Sequence, residues 1–149
     1  MDTSDLKALR DEEAEIVEEF AFFDDWQDRY KYIIDLGRSL PEFPESDKRD
    51  ENKVSGCQSQ VWFVAEAREG RMQFRAASDA MIVSGLIALL LRVYSNRKPE
   101  TILKAEPEFV SAIGLAEHLS PTRSNGLFSM IRAMKNLAAG YAGAEETTH

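Results

Sequence analysis

Cysteine is almost missing from these 149 residues, and the one present is Cys57. A single cysteine makes no disulfide within the chain, and without a C-x-x-C pair no dithiol cycle can run there. Histidine is nearly as scarce, with His118 and the terminal His149 alone. A zinc or iron–sulfur site needs three or four ligands at short range, so one built within this chain is not expected. Neither a G-x-x-x-x-G-K-[ST] phosphate loop nor a G-x-G-x-x-G fingerprint occurs. There is no surplus of basic charge either. The net charge of −8 argues against nucleic acid, whose phosphates need a basic surface. The longest apolar run, Gly85 to Leu91, is far too short to span a bilayer. The acidic start, "MDTSDLKALRDEEAEIVEEF", has neither the basic-then-apolar layout of a signal peptide nor the basic character of a transit peptide. A cytoplasmic protein with a free thiol is the expectation.

What remains is an ordinary globular composition, 44% hydrophobic and 30% charged, in a length that suits one domain over 1–149. A domain of this size buries about 70% of its unfolded surface and needs no covalent staples. The charge is uneven. Residues 1–52 carry 17 acids against 7 bases, and residues 53–149 carry 9 acids against 11 bases. A solvated helix face accounts for the acidic third, and a docking surface for a basic partner is the other reading.

Hydrophobic spacing places a first, acidic helix over 1–23, with Ser4 or Asp5 as cap and Leu6, Leu9, Ile16, Phe20 and Phe23 near one face. Asp24-Asp25 restarts a helix that ends at Gly37. Two prolines and many charges make 40–52 a surface loop. Gln60–Glu66 and Arg71–Ala77, joined by "REGR", read as a hairpin, and Lys53–Ser55 as a short strand before it. Ser78-Asp79 suits the cap of "AMIVSGLIALLLRVYSN", a helix apolar on nearly every side and therefore central. Pro99 and Pro107 open short helices, the second ended by Gly114. A last helix is expected over about Gly126–Ala139, followed by a flexible tail at 141–149. Helices, a small antiparallel sheet, then helices again make an α+β fold with the helices packed on one face of the sheet.

In "KVSGCQSQVWFV" the thiol of Cys57 lies on the loop entering the hairpin. A core-filling cysteine is the commoner case, but cores rarely set it between Gly56 and Gln58-Ser59. A cysteine hydrolase would need a histidine base, and only His118 is a candidate, with nothing in the sequence to bring it near. A thiolate alone can attack another sulfur if it is accessible and the partner offers a good leaving thiolate. Gly56 permits a tight turn, and Gln58 and Ser59 can offer hydrogen bonds or be plain turn composition. The residues alone leave sulfur handling and packing both open.

"GCQSQVW" (Gly56–Trp62) closely resembles the signature of the SufE family of sulfur acceptors. "W-x3-Y-x-YIIDLGRSLPE" (Trp26–Glu42), "SDAMIVSGLIALL" (Ser78–Leu90) and "HLSPTRSNGL" (His118–Leu127) resemble further family segments in the family's order. The resemblance spans about residues 24–138. It implies a fold similar to IscU-type scaffolds, and it implies that Cys57 accepts sulfur from the persulfide of a pyridoxal-phosphate cysteine desulfurase. The sulfur would then pass to an Fe–S scaffold. The pyridoxal cofactor belongs to the desulfurase, and no cofactor or metal of this chain's own is implied. The lone cysteine fits carriage rather than cluster assembly, for which a scaffold uses several.

Arg123, within the matching "SPTRSNG", is the candidate supporting group, steadying a thiolate or persulfide or making a structural contact. Asp79 is first a helix cap, with a share in a partner surface as the other reading. The long acidic first helix and the short tail depart from the family pattern and bear on partner choice. A bacterial cytosolic protein, monomer or homodimer, without nucleic acid or membrane partners, is implied. The alternative to sulfur carriage is a binding module that activates the desulfurase conformationally. A persulfide is easily lost to free thiols, so Cys57 is expected in a pocket near the sheet's apolar side chains.

Overall fold

The computed structural model describes residues 3–147. Among them, seven α-helices surround one hairpin: α1 Ser4–Ala21, α2 Trp26–Arg38, β1 Val61–Arg68, β2 Arg71–Ser78, α3 Met81–Tyr94, α4 Pro99–Lys104, α5 Glu108–Ala112, α6 Leu115–His118 and α7 Pro121–Thr147. The fold is α+β, as the pattern of elements requires.

The hairpin is antiparallel with Phe63 opposite Ala76 and Ala65 opposite Phe74. Its inner face carries Val61, Phe63, Phe74 and Ala76, all buried, because alternate residues of a strand point to one side. That face packs on α3 and α7. Loop 40–53 covers the outer face instead. There Arg75 pairs with Asp47 at 3.2 Å, and the Lys48 ammonium sits 5.6 Å from the Trp62 ring. The expected strand at Lys53–Ser55 shrinks to a single bridge between Lys53 and Trp62.

Helix α3 is the centre of the molecule. Leu86, Ile87, Leu89, Leu90, Val93 and Tyr94 are at most 1% exposed, as a helix without a polar face demands. It lies very close to α2. A Cβ on Gly37 would stand 2.6 Å from the Gly85 nitrogen, and one on Gly85 would land on the Ile33 carbonyl. Two glycines at the crossing allow that approach.

Four expectations need correcting. The cap of α1 is Thr3, without a side-chain bond. Asp5 is buried and accepts from Arg71 Nη1 at 2.7 Å and from the Lys98 N–H at 2.9 Å. Nor is the acidic face of α1 merely solvated. Glu12 and Glu19 both hold Arg92, at 2.8 and 2.6 Å, and buried Glu13 accepts from the Phe109 N–H at 2.9 Å. These carboxylates fasten α1 onto α3 and α5, because each faces a donor that packing brings opposite it. Third, α3 is capped from Ala80 without a side-chain bond, so Ser78-Asp79 is not its cap. Fourth, the last helix starts at Pro121 and continues through Thr147, over much of the expected tail. Ser120 explains its early start, with its Oγ accepting from the Arg123 N–H at 3.2 Å and Pro121 preset for the first turn. Residues 148 and 149, including His149, lie outside the described residues.

Candidate functional site: a sheltered thiol beside a cavity

Cys57 sits in a short excursion of chain that is pinned at both ends. On one side the Val54 N–H donates to the Val61 carbonyl at 2.9 Å. On the other, the Gln60 N–H donates to Asp79 Oδ1 at 3.0 Å and the Asp79 N–H to the Gln60 carbonyl at 3.3 Å. Asp79 is therefore a clasp between the loop and the end of β2. Residues 55–59 form the turn between these fastenings. Gly56 makes the turn possible: its φ is +89°, and a Cβ there would come within 2.5 Å of Ser129 Oγ on α7. Left-handed backbone and close approach both ask for glycine.

The loop carries the half-buried Cys57 thiol to α7, where Sγ lies 3.6 Å from the Gly126 carbonyl oxygen as a weak donor. A thiol favours that contact and a thiolate opposes it. Burial acts in the same sense, pushing the Cys57 pKa above its ordinary value, because charge is poorly solvated away from water. Both effects favour the thiol over the thiolate.

Beside the thiol opens a cavity of about 340 Å³. Val61 from the sheet, Val83 and Leu86 from α3, and Leu127 and Met130 from α7 form its apolar wall. Gln58, Ser59, Ser120, Thr122 and Arg123 supply its polar part. Arg123 is exposed on the first turn of α7. Among the described residues its guanidinium has no carboxylate partner, and neither Gln58 nor Ser59 hydrogen-bonds the thiol through its side chain.

Cys57, Gln58, Ser59 and Arg123 therefore meet at one cavity, with Gly56 behind them against α7. His118 does not join them. Its ring stacks on Trp26, centroids 4.1 Å apart, and its Nδ1 lies 3.0 Å from the Gly114 carbonyl. Among the described residues Cys57 therefore has no histidine beside it to act as the base of a cysteine hydrolase. The shelter around Cys57 is built as much from α3 and α7 as from the sheet. The sequence points to α7 through Arg123 in "SPTRSNG", but not to Gly126, Leu127, Met130, Val83 or Leu86, which reach the thiol only through packing. Among the described residues no three His, Cys, Asp or Glu side chains are grouped to hold a metal ion, and no helix is long and apolar enough to cross a membrane.

Comparison with known proteins agrees across most of the chain. The family described as "SufE: Fe-S metabolism associated domain" matches residues 14–138. A SufE-like protein of Rhizobium meliloti (strain 1021) is 46% identical over 131 residues, covering 85% of this chain and 94% of the relative. A SufE-like protein of Rhizobium etli is 44% identical over 135 residues, covering 87% and 91%. The solution structure of a hypothetical protein from Thermus thermophilus superposes with a TM-score of 0.71 at 20% identity, over 87% of this chain and 94% of the other. That likeness establishes the fold.

Proposed function

The chain belongs to the SufE family and with it to Fe–S metabolism, and on that premise we propose that it is a sulfur acceptor working through Cys57. The observation that carries this reading is the placement of the lone thiol, on a pinned loop and against a cavity with an apolar wall.

The donor is the persulfide of a pyridoxal-phosphate cysteine desulfurase, and the cofactor stays with that enzyme. At rest, burial and the Gly126 carbonyl keep the thiol neutral. Docking turns the loop outward, hydrates the sulfur and lets it ionise. The Cys57 thiolate attacks the outer sulfur of the donor persulfide. A new S–S bond forms to Cys57 as the donor's S–S bond breaks, and the donor cysteine leaves as thiolate. Removing that sulfur frees the desulfurase for another turnover, which is read as stimulation. The loop then swings back, and the Cys57 persulfide rests against Val83, Leu86, Leu127 and Met130, away from bulk thiols. From there the sulfur passes to a scaffold for cluster assembly in the cytoplasm.

Intact mass after mixing the protein with a cysteine desulfurase and cysteine tests this reading. The expected result is a gain of sulfur atoms that reductant reverses and that Cys57→Ser abolishes, together with loss of desulfurase stimulation. Stimulation that survives Cys57→Ser would replace carriage by conformational activation.

A further inference from the structure

The cavity beside Cys57 is far larger than its cargo. A single sulfur atom needs about the space of a water molecule, ~30 Å³ in the liquid, whereas the cavity measures about 340 Å³. That size falls at the small end of small-molecule sites, which run from about 300 Å³ upward. Its lining is divided as such sites are. Besides an apolar wall of Val83, Leu86, Leu127 and Met130, the lining includes Thr122, Ser59 and the exposed Arg123. Arg123 has no acidic partner among the described residues, although this chain pairs many of its other arginines: Arg10, Arg38, Arg49, Arg68, Arg71, Arg75 and Arg92 all hold carboxylates. In a protein of net charge −8, an arginine with no carboxylate partner among the described residues, at the edge of the cavity beside the thiol, suits an anionic ligand.

Resting on the sulfur-acceptor reading, we propose that this cavity also admits a low-molecular-weight thiol bearing a carboxylate, which Arg123 orients so that its sulfur meets the Cys57 persulfide. The small thiolate attacks the outer sulfur of Cys57–S–SH. A new S–S bond joins the two, and the bond to Cys57 Sγ breaks with its electron pair on Sγ. The proton released by the small thiol neutralises the Cys57 thiolate. Thiol and persulfide simply exchange, so no oxidant or reductant is consumed. Cys57 thus discharges its sulfur as a small diffusible persulfide as well as to a protein. Shelter and exchange agree with each other: the cavity excludes thiols that do not fit and admits one class that does.

The test loads Cys57 with inorganic polysulfide, so that no desulfurase is needed, and follows sulfur loss by intact mass. The probes are 3-mercaptopropionate, neutral 2-mercaptoethanol and cationic 2-aminoethanethiol, compared per thiolate and relative to their rates with a small-molecule persulfide, which removes the greater nucleophilicity of the more basic thiolate. The long-range field of an acidic protein disfavours the anionic probe, so without a site 3-mercaptopropionate is the slowest of the three. The expected result is the reverse: a saturating rate for 3-mercaptopropionate, about fivefold above 2-mercaptoethanol, the scale of one partly exposed ion pair. Arg123→Glu should invert the order in favour of 2-aminoethanethiol. Equal or slower discharge by the anionic probe, or an order unchanged by Arg123→Glu, would overturn the proposal. Loading by a desulfurase is measured separately, so failure there counts against the acceptor reading and leaves the discharge order to be judged alone.

Discussion

Replacing Gly56 by alanine strains the Cys57 loop where its backbone is left-handed, at φ +89°. An L residue in that region costs about 1–2 kcal/mol. The new Cβ would also stand 2.5 Å from Ser129 Oγ and 3.3 Å from Ser129 Cβ. The hydroxyl can rotate away, but the Cβ must give by a few tenths of an ångström. Against this, alanine narrows the unfolded ensemble, which returns about 0.4–1 kcal/mol. These two contributions net to about 0–1.6 kcal/mol, and pushing Ser129 aside raises the total to about 1–2 kcal/mol. Because the excursion is held by backbone bonds at Val54 and Gln60 and between them by the weak Cys57–Gly126 contact, the strain is relieved by opening the loop before the domain unfolds. The open population should rise about 5–30-fold. Native-state alkylation of Cys57 by iodoacetamide, followed by mass, should accelerate by that factor, with little change in the denaturation midpoint. Adding Ser129→Ala removes the hydroxyl contact and should bring the rate part of the way back. Wild-type alkylation together with wild-type stability in Gly56→Ala would refute the account of this loop.

The alkylation rate of the wild-type protein should rise with pH along a curve centred above the ordinary thiol value, and denaturant should bring it down to that value. Since the folded pKa is raised, the stability it contributes is complete below the unfolded thiol pKa and fades as pH climbs through the folded one. A midpoint at or below that of a model thiol would count against the sheltered site. Arg92→Met should cost about 1–3 kcal/mol in denaturant unfolding, less than a fully buried pair would, because the ion pairs with Glu12 and Glu19 are about a quarter to a third exposed. The hydrogen bond from Arg92 holds Glu19 below the usual carboxylate range. Its stability is therefore present above the ordinary Glu pKa and lost as pH falls through the lowered one, so Arg92→Met should unfold at higher pH on an acid titration. Tyr32, pushed up to about 12 by burial and by its bond to Glu19, should show phenol ionisation shifted back toward normal in Glu19→Gln. Gly85→Ala should cost about 3 kcal/mol or more, since its Cβ meets the Ile33 backbone; a midpoint within error of wild type would show that α2 and α3 do not cross so closely.

Much of the fold was legible locally. The period-2 run Met72, Phe74, Ala76 and the all-apolar stretch in α3 mark a half-covered strand and a central helix, because side-chain direction follows directly from backbone geometry. Ser120-Pro121 carried the start of α7 in plain helix-start chemistry, although helix periodicity drew the boundary to Gly126. The partners of Asp5, Glu12, Glu13 and Glu19 were not legible. Spacing shows that these acids share a helix with Leu9 and Ile16, but which donor stands opposite each depends on how α1 docks. For Asp79 the local cap signal was real and was outcompeted, since its carboxylate meets the Gln60 N–H across the end of the hairpin.

The order of residues along the chain is enough to set the chemistry on offer and the family: one thiol, between Gly56 and Gln58 in a stretch that resembles the family's signature, and no second cysteine to work with. What surrounds that thiol is a matter of packing. The loop at 55–59, the α3 residues Val83 and Leu86, and the first turns of α7 lie far apart along the chain, and a cavity exists only where they meet. Local spacing encodes the direction of each side chain relative to its own element. The space left between elements, and the carbonyl of Gly126 that keeps Cys57 a thiol, arise from how those elements come together in three dimensions.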